Sequence, residues 1–208
     1  MTKRGCFISL EGGEGAGKST QIRLIGSRIS KMGIKVLSTR EPGGSEGAEA
    51  IRSMVLSNAT KWGMRTEAML FAAARMDHVE KMILPALERG EWVLCDRYLD
   101  SSRAYQGVAG ELGDEHILQL HALGAQLLPD RTIVLDVGHV EGTTRTRQRD
   151  GDVTDRIGGR EAAYHARTVG AFRRYAEQDQ ERIRLVEANG SVDGVTDRIM
   201  AVLADLLP

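Results

Sequence analysis

The stretch SLEGGEGAGKST, Ser9 to Thr20, decides how this chain is read. Within it Gly12, Gly17, Lys18 and Ser19 satisfy the spacing G-x-x-x-x-G-K-[ST]. Glycines so spaced let backbone N–H groups point inward at a polyphosphate, and a helix that follows turns its positive end to the same anion. The loop Gly12, Gly13, Glu14, Gly15, Ala16, Gly17, Lys18, Ser19 and Thr20 is therefore expected to cradle nucleotide phosphates. Lys18 would reach the β- and γ-phosphates, and the Ser19 hydroxyl would ligate Mg²⁺. A motor, a switch and a kinase all begin this way, so the motif leaves open what happens to the phosphate.

The surrounding pattern supplies the context that the motif requires. CFISLE, Cys6 to Glu11, reads as a buried strand, and a helix is expected from about Lys18 to Met32, with Ile22, Ile25, Ile29 and Met32 on one face and Gly33 stopping it. KVLSTR (35–40), WVLCD (92–96), RTIVLDV (131–137) and IRLVEA (183–188) read as four further strands. Helices are expected from a cap at Thr66 to about Glu88, bent or shortened by Pro85, from Asp114 to Leu128, and from Val192 to Leu207. Strands alternating with helices point to an α/β three-layer sandwich: a five-stranded parallel sheet flanked by helices, with right-handed crossovers.

The bulk numbers set limits. A chain of 208 residues suits one domain, 1–208, and its 41% hydrophobic and 27% charged shares are those of a soluble globular protein. A net charge of -1 and 4% aromatic residues argue against a nucleic-acid partner. No run approaches the roughly 20 apolar residues of a membrane span, and the N-terminus reads as no signal peptide. Cys6 and Cys95 lie in apolar runs, as reduced thiols of a cytoplasmic protein would.

Three other places carry chemistry. Apolar WVLC delivers Asp96 at a strand's carboxyl end, where open parallel sheets bind ligands. Its carboxylate suits Mg²⁺ or an attacking oxygen, and equally a helix cap; Arg97 beside it suits a second anion. RTRQRDGDVTDRIGGR, Arg145 to Arg160, sets five arginines against three aspartates. By composition alone that is a solvated loop, but beside a phosphate loop it reads as a lid, about 145–160, that closes over ATP and excludes water. Finally, in MLFAAARMDH, Phe71 and Arg75 are four apart on one helix. A flat base would stack on the ring while the guanidinium donates to a base oxygen, although a core phenylalanine and a surface arginine would show the same spacing.

Taken together, EGGEGAGKST, TREPGG, MLFAAAR, DRYLDSSRAYQG and RTRQRDGDVTDRI occur in the order of the thymidylate kinase family, and the chain resembles its bacterial branch from Phe7 to about Tyr175. The resemblance implies transfer of the γ-phosphate of ATP to dTMP, with Mg²⁺, in a cytoplasmic homodimer. It implies that Phe71 stacks on thymine, Arg75 bonds its O4, and Ser102 and Gln106 help to hold it. It places the dTMP phosphate at Arg97, the metal and transferring phosphate at Asp96, and the 3′-hydroxyl region at Glu14. Tyr105 would crowd the 2′ position, Arg40 would line the acceptor pocket, and Pro42 matches a proline that is often cis. Some members carry an arginine where this chain has Gly15; the bacterial pattern supplies that charge from the lid, which makes Arg145, Arg147 and Arg149 catalytic candidates beside Lys18, Asp96 and Arg97. Gly158 stands where the family often has an acidic residue, and the adenine contact is expected only loosely, at Asn189 to Val192.

Two rival readings remain at this point. One is a kinase of another small acceptor; the other is an ATP-hydrolysing switch or motor subunit, which needs a water-positioning residue and no acceptor pocket.

Overall fold

All five expected apolar runs are strands: β1 (Phe7–Glu11), β2 (Val36–Arg40), β3 (Trp92–Asp96), β4 (Arg131–Asp136) and β5 (Ile183–Glu187). The computed structural model describes residues 4–137 and 156–208. Every pairing is parallel, in the order β2-β3-β1-β4-β5. β1 lies at the centre with all its residues buried, which is why it reads as an unbroken apolar run; β2 and β5, at the edges, are partly exposed.

The sheet's two faces follow the strand period of two. Ile8 and Leu10, with Leu94, Ile133 and Leu135, pack beneath helix α1 (Lys18–Lys31) and the closing helix α8 (Val192–Val202). Phe7, Val93 and Cys95 point the other way, towards α3 (Met64–His78), α4 (Leu84–Glu88) and α6 (Asp114–Leu123). Val134 joins a third cluster with Phe71, Tyr105 and the long helix α7 (Ala162–Gln178). The expected three layers are present. Neither cysteine is in a disulfide; Cys95 is buried and Cys6 partly so.

Several helices depart from the expectation. Gly63, not Thr66, precedes the first turn of α3. The single helix expected to reach Glu88 is interrupted by a π-helical stretch, Val79–Ile83, before α4. Pro85 is the second residue of α4, and its ring and missing N–H disturb the hydrogen-bond ladder of the preceding turn, which the wider π turn accommodates. α6 ends at Leu123 with Gly124 behind it, not at Leu128, and α8 ends at Val202, not Leu207. Three elements were not expected from the sequence: α2 (Glu46–Leu56), the long helix α7, and a short α5 (Leu99–Ser102) running into a π-helical stretch, Arg103–Ala109.

A buried carboxylate of its own helps to pin the segment after β3 to the sheet. Asp100, 1% exposed, accepts from Arg103 at 2.9 Å, Arg182 at 2.8 Å and Thr132 Oγ1 at 3.2 Å, and Thr132 is itself bonded to Ser9 of β1. Removing it would leave Arg103 with Asp114 and Arg182 with Asp179 as their remaining carboxylates, and would unmake the buried bonds that tie this segment to Thr132 and β4. Asp100→Ala is expected to cost about 1–3 kcal/mol of stability through buried donors left unpaired, read as a lower urea midpoint with an unchanged slope. A loss below about 1 kcal/mol would show that Asp114 and Asp179 alone suffice to hold these arginines.

Candidate active site

The carboxyl ends of β1 and β3 lie side by side, Leu10 opposite Asp96. β1 runs into the glycine loop and β3 into Arg97, so the loop and the cation share one crevice, as the expected strand ends required. Gly12 has φ +135, and a Cβ there would come within 2.6 Å of the Leu135 carbonyl oxygen, so only glycine lets the loop turn this tightly over β4. Lys18 Nζ donates to the carbonyls of Gly12 at 3.1 Å and Gly13 at 2.8 Å. Arg97 Nη1 donates to that same Gly12 oxygen at 3.2 Å and to Ser101 Oγ at 3.2 Å, with its guanidinium 5.0 Å from the centre of the Tyr105 ring. Two cations thus converge on one carbonyl. Arg97 has φ +70, a left-handed backbone that costs a non-glycine residue on the order of 1–3 kcal/mol.

Beneath them lies Glu11, the last residue of β1. Its side chain accepts from the backbone N–H of Tyr98 at 2.8 Å and of Ser101 at 3.2 Å, and from Ser101 Oγ at 2.5 Å. These bonds hold the turn on which Arg97 is presented. Burial, then the neighbouring Asp100, push the Glu11 carboxyl up to about 8, against those donors and the charge of Arg97. Burial, then Arg97, lower the Lys18 ammonium to about 7. An anion brought against Lys18 would raise it again.

Ser19 Oγ donates to Asp96 Oδ2 at 2.6 Å. A hydroxyl and a carboxylate at a phosphate loop are a fitting oxygen set for Mg²⁺, which takes few protein ligands when phosphates and water complete its shell. Asp96 faces the loop rather than capping α5, whose N-terminus has no side-chain cap.

A cavity of about 300 Å³ opens from this point. All eight expected acceptor residues line it: Glu14, Arg40, Phe71, Arg75, Arg97, Ser102, Tyr105 and Gln106. Gly15, Lys18, Ser19 and Asp96 border it as well, while Gly12, Gly13, Ala16, Gly17 and Thr20 shape the loop without lining it. Arg40 lies at the rim, its Nη2 on Glu49 at 2.9 and 3.1 Å. Tyr105 and Gln106 belong to the π-helical stretch after α5, and the Tyr105 hydroxyl is buried without a hydrogen-bond partner.

Arg75 is not a surface residue: it is 3% exposed. Its Nε donates to Glu41 at 2.7 Å, and its Nη2 to the Tyr98 carbonyl at 3.1 Å and Ser102 Oγ at 2.8 Å. Glu41 Oε1 meets His78 Nδ1 at 3.2 Å, and His78 Nε2 bonds Thr39 at 2.8 Å. Glu41, His78, Tyr98 and Ser101 were not named as site residues from sequence. Glu41 stood inside TREPGG, and His78, the last residue before the break in the helix, carried no signal distinguishing it from a core histidine. The Glu41–Pro42 bond is cis, as the proline's place in the pattern implied.

A sequence model of the thymidylate kinase family matches residues 10–199. The chain belongs to the thymidylate kinase family. It is 52% identical over 206 residues to the thymidylate kinase of Rhizorhabdus wittichii, covering 98% of this chain and 99% of that one. It is 49% identical over 201 residues to that of Rhodopseudomonas palustris, covering 94% and 87%. The crystal structure of thymidylate kinase from Ehrlichia chaffeensis matches with a TM-score of 0.77 at 29% identity, covering 96% of this chain and 99% of that one. The kinase reading from Ser9–Thr20 outward is thereby placed within a phosphotransferase family, and the switch reading loses its ground. Arg145, Arg147 and Arg149 lie outside the described residues. So does most of the expected lid. Its described end, from Arg156, turns back onto α3, and Ile157 and Gly158 reach the cavity.

The two shifted groups act on stability in opposite senses. Glu11 holds its proton more tightly folded than unfolded, so its contribution is complete below its ordinary 4.5 and is lost as pH rises towards about 8. Lys18, lowered from 10.5 to about 7, contributes fully above 10.5 and loses this as pH falls towards 7. The enzyme without nucleotide should therefore have a stability trough near pH 7–8. Urea midpoints measured across pH are expected to flatten on the acid side of the trough in Glu11→Gln and on the alkaline side in Lys18→Met. Variant profiles that run parallel to the wild type would contradict these shifts.

Proposed function

We propose that the chain transfers the γ-phosphoryl group of ATP to dTMP, giving dTDP and ADP. The observation that carries this is the shared cavity: a base-sized pocket floored by Phe71 and Arg75 opens directly onto the two cations at Gly12. Phosphoryl transfer to a monophosphate brings two anions together, and catalysis then rests on positioning and on compensating charge.

Within that reading, the loop backbone and Lys18 hold the ATP phosphates, and Arg97 holds the dTMP phosphate. Mg²⁺ carried by Ser19 and Asp96 would neutralise charge on the transferring group. Phe71 stacks on the thymine, Arg75 donates to its O4, and Ser102 and Gln106 fix its edge. Tyr105 stands where a 2′-hydroxyl would lie, Glu14 near the 3′-hydroxyl, and Arg40 at the mouth. The lid arginines Arg145, Arg147 and Arg149 supply the remaining transition-state charge, since Gly15 leaves none in the loop. Residues 1–208 act as one nucleoside monophosphate kinase domain, in a cytoplasmic homodimer. Adenine falls near Asn189, whose segment leads into α8 and touches the phosphate-loop helix through Gln21 Nε2 on the Val192 carbonyl at 3.0 Å.

ADP release from Mg-ATP should depend on dTMP and fall away with TMP and dCMP. Preference over dUMP should be modest, because one methyl group is worth about 1–3 kcal/mol in a pocket. Acceptor-independent ADP release would contradict the reading. Arg149→Ala is expected to lower kcat on the order of 10³-fold while moving the dTMP KM far less; near-normal turnover would remove the lid arginine from the mechanism.

A further inference from the structure

Glu67, Phe71 and Arg75 follow at intervals of four along α3 and so share one face. Phe71 and Arg75 line the cavity; Glu67 lies behind it, with no exposed surface. Its Oε1 accepts from Gln106 Nε2 at 2.7 Å. Its Oε2 accepts from Arg156 Nη2 at 2.5 Å and Arg160 Nη2 at 2.6 Å. Arg156 is fixed in turn by its Nε on the Val55 carbonyl at 2.9 Å, and Arg160 lies over the Tyr164 ring at 4.5 Å.

We propose that Glu67 is a positioning residue for base selection: by taking the amide nitrogen of Gln106 it commits the amide oxygen to the base, and so favours pyrimidines that carry a proton on N3. This rests on the kinase reading above. An ionised carboxylate only accepts hydrogen bonds, so the Gln106 atom that faces it must be the nitrogen. Gln106 is 1% exposed and lines the cavity, so its oxygen is the polar atom left for a ligand. Turning the amide over would set two oxygens against each other and bury an unpaired donor. Glu67 cannot yield, because two guanidinium groups hold its other oxygen.

The neighbouring Arg75 is fixed in the same sense by different means. With Nε on Glu41 and Nη2 on Tyr98 and Ser102, it has Nη1 left, and a guanidinium can only donate. The pocket therefore presents a donor beside an acceptor. Thymine and uracil present the complement, O4 accepting and N3–H donating. Cytosine presents the reverse, a 4-amino donor beside a bare N3. Of the two pocket groups only the Gln106 amide has a choice of polarity, and Glu67 makes that choice.

The test compares kcat/KM for dTMP and dCMP in the full-length enzyme. Glu67→Gln frees the Gln106 amide, and the dTMP:dCMP ratio is expected to fall about tenfold or more, through KM, with kcat for dTMP nearly kept. In a Gln106→Met background the same substitution should leave the ratio where Gln106→Met alone put it. Should Glu67→Gln not fold, Glu67→Asp keeps the charge facing both arginines while withdrawing it from Gln106 by one methylene, and should lower the ratio in the same way. An unchanged ratio, an equal loss for both substrates, or a further shift in the Gln106→Met background would each overturn the inference. A wild-type enzyme without dTMP-dependent turnover would overturn the kinase reading together with it; a dTMP-selective wild type whose variants keep the ratio overturns this inference alone.

Discussion

Two positive groups meet at one carbonyl oxygen: Lys18 and Arg97 both donate to Gly12. Like charges do not gather in a half-dry crevice unless something holds them, and the fold is arranged to do so. Adjacent parallel strands deliver the two residues from one edge of the sheet. Glu11 grips the turn after β3 by its backbone, and Arg97 is accepted in a left-handed conformation. Asp96 and Glu14 supply opposing charge close by. Phosphate oxygens are the natural partner of such an arrangement, because they satisfy both cations at once.

The base end of the cavity is built by the same means with opposite emphasis. Here two groups that line the cavity, Arg75 and Gln106, are directed by buried carboxylates, Glu41 and Glu67. Each carboxylate is matched by cationic or imidazole partners, Arg75 and His78 for Glu41, Arg156 and Arg160 for Glu67. A buried charge left without its partner costs several kcal/mol, so these side chains have little freedom to turn. That rigidity gives the pocket a fixed order of donor and acceptor.

The sequence carried the sheet and the cleft well because their signals are local. Central parallel strands are buried on both faces and read as continuous apolar runs, and the glycine loop is specified by backbone geometry that few other residues tolerate. Residues that line the cavity also stood out, since Phe71, Arg75, Arg97 and Gln106 fall in short motifs. What escaped was set by tertiary contact. α5 and the π-helical turn after it carry Tyr105 and Gln106, yet their helical form depends on Asp100 bridging Arg103 and Arg182, a contact between residues far apart in the chain. Glu67 and His78 lie on the same face of α3 as Phe71 and Arg75, but nothing in a helical stripe separates a residue that meets the ligand from one that steers its neighbour. The break at Val79–Ile83 was half visible in Pro85, which announced a disturbance without saying which kind.

The most direct measurement is a crystal structure of the enzyme with dTMP and a non-hydrolysable ATP analogue bound together. The account predicts the acceptor phosphate within hydrogen-bond reach, about 3 Å, of Arg97, the donor phosphates at Lys18, and the thymine ring lying on Phe71. A pyrimidine seated elsewhere, or both phosphate chains away from the Gly12 crevice, would contradict it.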